Sequence, residues 1–337
     1  MTECLGQIAL KKAGIDYRHY YASEIDTHAI KVAKQNNPEM VHLGDVTKWR
    51  EWDVDWSKIG LLMAGSPCQG FSFSGKGLGF EDPRSKLFFV FIDILKHIKS
   101  KNNSVKFLLE NVQMRKEHMK VINEFTGVKP VFINSLLVSA QNRKRFYWTN
   151  WFFKAPNDKN IRLVDVIETG VVDRKKSYCI DANYGKGGNL HQYFDKSRRQ
   201  LVFSDDVETE RFFSKKKGTL AYKKSVGQVR VLSDKSNCLT TSGQNFANSG
   251  STNIIYKNLS GLIGLRTLTP LECERLQTVP EGYTSSVSKT QRYRMLGNGW
   301  TVNVIVHILL SKGTGDLMEP AWNRRVHRRL RSALDVE

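Results

Sequence analysis

Through residues 1–151 the spacing of apolar positions switches repeatedly between a helical and a strand-like period. "LGQIALKKAGI" carries apolar residues at helical spacing, and "YRHYYASEI" reads as a short strand ending at Glu24. "DTHAIKVAKQN" is helical again, and the unbroken apolar run "KIGLLMAG" predicts a buried strand. "SKLFFVFIDILKHIKS" returns to the helical period, "VKFLLEN" is a strand, and "QNRKRFYWTNW" carries another. Strands alternating with helices predict an α/β fold of the Rossmann-like kind, with a mostly parallel sheet covered by helices on both faces. Ligands of such sheets sit at the carboxyl ends of the strands. Glu24, Cys68 and Glu110 all fall at predicted strand ends, and that coincidence singles them out together.

The pattern changes over residues 152–262. Helical periodicity disappears, Gly and Asn become frequent, and Lys and Arg cluster in "DRKK", "SRR", "SKKK" and "YKK". This predicts a second, smaller, irregular β-rich domain. From "TLTPLECERLQ" through "LGNGWTVNVIVHILLS" the first style returns, so residues 263–312 are expected to re-enter the first domain. Residues 313–337 form a basic, amphipathic tail.

Composition narrows the function. Lys and Arg number 52 against 33 Asp and Glu, a net charge of +19. Such an excess attracts polyanions and is the footprint of a nucleic-acid partner. No apolar run approaches the roughly 20 residues of a membrane span, and no signal peptide is recognisable at the start. The five cysteines, Cys4, Cys68, Cys179, Cys238 and Cys273, form no Cys-x-x-Cys pair. No metal site is expected from them, and reduced thiols in the cytoplasm are.

Cys68 follows Ser66-Pro67 on a stiff turn, and behind it comes a loop holding Gly70, Gly75, Gly77 and Gly79. Glu110 opens Glu-Asn-Val at the end of a strand, and Gln141-Asn-Arg143-Lys-Arg145 starts the next. A thiol, a carboxyl and two arginines suit one demanding substitution. C5 of cytosine is too electron-poor to attack a methyl sulfonium unaided. Addition of a thiolate to C6 turns C5 into an enamine-like nucleophile, and a carboxylic acid donating to N3 assists that addition. Arginine can hold O2 and the carboxylate, and a guanidinium nearby favours the thiolate.

The chain resembles the cytosine C5-specific DNA methyltransferases that use S-adenosylmethionine, phage-type enzymes and the vertebrate de novo methyltransferases among them. "GSPCQGFS" is similar to the family's nucleophile motif, "ENV" to its glutamate motif and "QNRKR" to its Gln-x-Arg-x-Arg motif. "RTLTPLECERLQTVPEGY" and "LGNGWTVNVI" are similar to the two segments that follow its recognition domain, and the order holds over nearly the whole chain. The resemblance implies Cys68 as nucleophile and Glu110 as the N3 partner, with Arg143 and Arg145 at the cytosine and the glutamate. It implies Glu24 on the ribose hydroxyls of S-adenosylmethionine, Ile25 on the adenine and Asp45 on its amino group. Pro67, Leu87 and Asn298 complete that pocket. Gln69, Ser72, Lys76, Gln141, Thr240 and Thr241 are implied as contacts to double-stranded DNA, the last two from "CLTTSGQN". An extruded base needs a segment to close over it, and the glycine-rich loop after Cys68 is suited to that movement.

The resemblance departs at the beginning. The family's first strand ends in a Phe-x-Gly-x-Gly turn; here only Gly6 of that pattern is expected to remain, and a complementing N-terminal fragment or a restriction endonuclease partner is left open. A tRNA cytosine methyltransferase and a catalytically impaired DNA-binding relative are the alternatives. The long, basic 152–262 region favours duplex DNA over the first, and the retained Cys68, Glu110, Arg143 and Arg145 speak against the second. Adenine N6 methylation is disfavoured, since it calls for an Asp/Asn-Pro-Pro-aromatic turn where this chain has Ser-Pro-Cys.

Overall fold

The computed structural model describes residues 2–65, 86–186, 193, 196–203, 229–231, 254–258 and 261–311. The chain divides into two compact units, the first made of residues 1–135, 144–157 and 302–337, the second of 136–143 and 158–301.

In the first unit, helix α1 (Thr2–Lys12) precedes strand β1 (Tyr21–Ala22), helix α2 (Thr27–Asn36) and strand β2 (Val41–His42). Strand β3 (Leu61–Gly65), helix α3 (Lys86–Lys101), strand β4 (Lys106–Val112), helix α4 (Lys116–Thr126), strand β5 (Val131–Asn134) and strand β6 (Lys144–Thr149) follow. β1 and β2 pair in parallel, and a four-stranded sheet runs β3-β4-β6-β5. β3 is parallel to β4, whereas β6 is antiparallel to both β4 and β5. β3, β4 and β5 therefore point one way and β6 alone is reversed, a mostly parallel α/β sheet.

Period explains the core. α3 places Phe88, Phe91, Ile92, Leu95 and Ile98 on one buried face, spaced three and four apart. They pack with Phe107 and Leu109 of β4, Trp148 of β6, and Trp49 and Ile122. β4 is central and its Phe107 to Asn111 are all buried. The apolar run of β3 predicts a buried strand, yet every residue in it is half-buried, because it stands at the edge of its sheet. The helix Val302–Leu310, labelled α7 below, packs against α1.

The second unit holds a four-stranded antiparallel sheet of β7 (Leu201–Phe203), β8 (Val229–Val231), β9 (Ile254–Asn258) and β10 (Gly261–Thr267), ordered β7-β10-β9-β8. Helices α5 (Pro270–Leu276) and α6 (Lys289–Asn298) complete it, α6 being followed in sequence by α7. Residues 136–143, lying between β5 and β6 in sequence, join this unit through an isolated bridge of Gln141 to Ser177. Among the described residues no helix is long and apolar enough to cross a membrane.

Candidate active site

In the first unit the parallel register sets Gly65, the last residue of β3, opposite Glu110 of β4. Glu110 pairs across the sheet with Tyr147, and Val112 with Arg145, so Glu110 and Arg145 are diagonal neighbours on adjacent strands. Arg145 Nε lies 2.8 Å from Glu110 Oε1, with side-chain exposures of 15% and 11%. A guanidinium this close to a sheltered carboxylate holds it by a charge-assisted hydrogen bond. Arg145 Nη1 also donates to the Lys144 carbonyl at 2.8 Å, which fixes the plane of the guanidinium.

The ends of β1 and β2 carry a second group. Two residues after β1, Glu24 Oε1 accepts from the backbone N–H of Ile25 (2.9 Å) and Asp26 (3.1 Å). Burial raises the Glu24 carboxyl, but these donors are among the groups that leave its pKa below the ordinary carboxylate value. Asp26 then caps α2 by accepting from His28 and Ala29. Ile25 is 72% exposed, a large apolar side chain left in water. Three residues after β2, Asp45 accepts from the Thr47 N–H and hydroxyl, both at 2.9 Å, and these bonds lower its pKa. The Ser23 hydroxyl donates to the Gly44 carbonyl at 2.7 Å, tying the Glu24 loop to the Asp45 loop. Gly44 has φ of +74°, a left-handed turn that suits glycine. Leu87 is half-buried in the first turn of α3.

In the second unit Arg143 is 3% exposed and Gln141 is fully buried. Arg143 donates to the carbonyls of Ile180, Gly297 and Gly299, and Gln141 to the carbonyl of Leu276. The two arginines of Gln-x-Arg-x-Arg therefore differ in the partners seen here: Arg145 meets Glu110, and Arg143 meets these backbone carbonyls and Cys179 Sγ at 3.4 Å. Nothing in the sequence signals this, because those carbonyls lie tens or more than a hundred residues away. Asn298 is exposed at the end of α6. Pro67, Cys68, Gln69, Ser72, Lys76, Thr240 and Thr241 lie outside the described residues. Cys273 makes a poor nucleophile, since burial and then the adjacent Glu272 push its thiol well above the ordinary value.

The donor set fits S-adenosylmethionine. Glu24 offers a carboxylate suited to hydroxyls, Ile25 an exposed apolar surface suited to a flat ring, and Asp45 an acceptor suited to an amino group. Among the described residues no cluster of three His, Cys, Asp or Glu could hold a metal ion.

The profile of the C-5 cytosine-specific DNA methylase family matches residues 5–312. Type II methyltransferase M1.ScrFI of Lactococcus lactis subsp. cremoris is 32% identical over 314 residues, spanning 87% of this chain and 71% of that protein. Type II methyltransferase M.HhaI of Haemophilus parahaemolyticus is 27% identical over 340 residues, spanning 93% and 92%. Among solved structures, DNMT2 of Spodoptera frugiperda shares the fold, with a TM-score of 0.56 at 21% identity over 90% of this chain and 95% of that one.

Proposed function

The chain belongs to the C-5 cytosine-specific DNA methylase family, and from that premise we propose that it methylates C5 of cytosine in double-stranded DNA through a covalent adduct with Cys68. The observation that carries this reading is the sheltered Glu110–Arg145 pair, 2.8 Å apart, level with the end of the strand that leads to Cys68.

The Cys68 thiolate adds through sulfur to C6, and the electron pair of the C5–C6 bond moves into the ring. Glu110 supplies the hydrogen bond at N3 that stabilises the charge gathered there, and Arg145 keeps the carboxyl in position. When bound, S-adenosylmethionine would supply the electrophilic methyl group that C5 takes up, leaving S-adenosylhomocysteine as the neutral thioether. Loss of the C5 proton to a solvent water and expulsion of the thiolate from C6 then restore the aromatic ring. Glu24, Ile25, Asp45, Pro67, Leu87 and Asn298 are proposed to hold the cofactor. A base inside a duplex cannot reach a thiol, so it must leave the stack. The glycine-rich segment after Cys68, with Gln69, Ser72 and Lys76, is proposed to act at that step. Residues 152–262, including Thr240 and Thr241, are proposed to recognise the target.

A duplex with 5-fluorocytosine in its target site tests the mechanism, because fluorine at C5 cannot leave as a proton does. The expected result is a denaturation-resistant protein–DNA adduct that requires S-adenosylmethionine and vanishes in Cys68→Ala. Bisulfite sequencing of DNA from cells expressing the protein identifies the site beforehand. An adduct that persists in Cys68→Ala, or methylation found on tRNA with none on duplex DNA, overturns the reading.

A further inference from the structure

Arg174 lies in the basic run "DRKK" of the second unit, and its guanidinium is held on several sides. Nε donates to Asp173 Oδ1 and Nη2 to Asp173 Oδ2, both at 3.0 Å, a parallel fork on one carboxylate. Nε also donates to the Tyr193 hydroxyl at 3.0 Å. The guanidinium carbon stands 3.8 Å from the centre of the Tyr178 ring and 4.8 Å from that of Tyr193. The Tyr193 hydroxyl donates to Asp173 and accepts from Gln200 Nε2 at 2.9 Å, while Gln200 Oε1 accepts from the Tyr178 N–H at 3.3 Å. Each group that touches the guanidinium is thus tied to a second. The backbone beneath is firm as well. Val171 exchanges two hydrogen bonds with Phe203 of β7, both at 2.9 Å. A Cβ on Gly170 would collide with the Phe203 carbonyl, and Gly170 has φ of +85°, so that approach requires glycine.

One end of the fork is left over. The Asp173 side chain is 1% exposed, but Arg174 keeps 21%. Among the described residues Nη1 has no hydrogen-bond partner, and it is not sealed from water. One N–H of Nη1 and the second N–H of Nη2 form an unused edge of two parallel donors. A guanidinium matched by a carboxylate at this distance has little charge left to draw a phosphate, and the same carboxylate repels one. What it keeps is a pair of coplanar donors with a fixed direction, which suits two neutral acceptors side by side. In a duplex the major-groove edge of guanine offers such a pair in O6 and N7. Adenine and cytosine place an amino donor there, and thymine a methyl group.

We propose that Arg174 is a specificity-determining residue that reads a guanine of the target site through O6 and N7. Asp173 and the two tyrosines are positioning residues that aim it. The inference rests on the proposed methylation of duplex DNA with recognition by residues 152–262.

The test uses the full chain and the methylated sequence that bisulfite sequencing gives. Duplexes holding that sequence, with 7-deazaguanine replacing one guanine at a time, are compared with the unmodified duplex by fluorescence anisotropy. The replacement removes the N7 acceptor and keeps Watson–Crick pairing. At one guanine it should weaken binding by the unaltered chain about tenfold, a change of about 1.4 kcal/mol. In Arg174→Met the same replacement should change binding less than about twofold, and bisulfite sequencing should show other bases accepted at that position. Asp173→Asn/Arg174→Met removes both charges together and strands no buried carboxylate, so it carries the test if Arg174→Met does not fold. Melting of each variant checks folding. If no guanine is sensitive in the unaltered chain, or if folded variants retain the sensitivity, the inference is overturned. A salt slope lower by about one in Arg174→Met, with the sensitivity retained, would make Arg174 a phosphate contact and overturns it equally. An unaltered chain that methylates no duplex DNA overturns the proposed function itself, and the inference falls with it.

Discussion

Glu110 shows how a strand neighbour can hold one side chain in a fixed direction. It lies in the buried centre of β4, where a lone carboxylate would be costly, and Arg145 meets it at 2.8 Å from the next strand. The same pairing that makes the carboxyl tolerable also fixes its direction, as the role proposed for it beside a ring nitrogen requires. Glu110→Gln keeps the shape and one set of hydrogen bonds but removes the acid. Methyl transfer in single turnover should fall about 10²–10⁴-fold, the usual worth of a positioned acid or base. Cofactor affinity should be unchanged, since Glu24 and Asp45 stand in the loops after β1 and β2. A Glu110→Gln protein with full activity would remove the carboxyl from the mechanism.

Among the elements, α5 is the clearest case of a helix specified by its own start. Thr269 caps it by accepting from the Glu272 N–H at 3.1 Å, Glu272 Oε2 accepts from the Thr269 N–H at 2.7 Å, and Pro270 opens the first turn. Glu272 does more than cap: it is fully buried, lies 2.7 Å from Arg266 of β10 and accepts from the Glu168 N–H. Thr269→Ala should therefore cost about 0.5–2 kcal/mol. Glu272→Ala should cost more, about 3–5 kcal/mol, because it strands a sheltered guanidinium. Urea unfolding of both variants checks the order, and the reverse order would mean that the cap outweighs the ion pair. This start is legible in "TLTPLECERLQ", as α1, α2 and α3 are in their own apolar spacing. β2 and β5 escape a reading of the sequence because two and four residues are too few to display a period, and β1, equally short, is legible only through the longer run "YRHYYASEI" around it. α4 escapes it because "KEHMKVINEFT" buries only Ile122 and Thr126, leaves Phe125 exposed and is otherwise polar or half-buried. The motif residues Glu110 and Arg145 are recognisable from sequence because their chemistry is written in their side chains. The hydrogen bonds of Arg143 to the carbonyls of Ile180, Gly297 and Gly299 are hidden, because backbone carbonyls look the same at every position.

For the whole molecule the dominant fact is the net charge of +19. A charge of this size repels itself within the compact chain and is most simply offset by a polyanion that brings its own counterions. Binding then releases those counterions, and the logarithm of affinity falls with the logarithm of salt with a slope of about 0.9 per neutralised phosphate. With about five phosphates engaged, affinity for duplex DNA should drop about 10²–10³-fold between 50 and 200 mM salt. Fluorescence anisotropy with a labelled duplex measures the slope directly. The lysine run Lys215, Lys216 and Lys217 lies in the region proposed for target recognition, and replacing all three with glutamine separates two kinds of contact. Phosphate contacts carry no sequence information, so their loss should lower the slope by up to about 3 and leave the methylated sequence the same. Base contacts would do the opposite, shifting the methylated sequence at nearly constant slope. A slope that does not change in the triple variant, with the site also unchanged, would show that these lysines serve neither purpose and that the excess charge meets the DNA elsewhere on the chain.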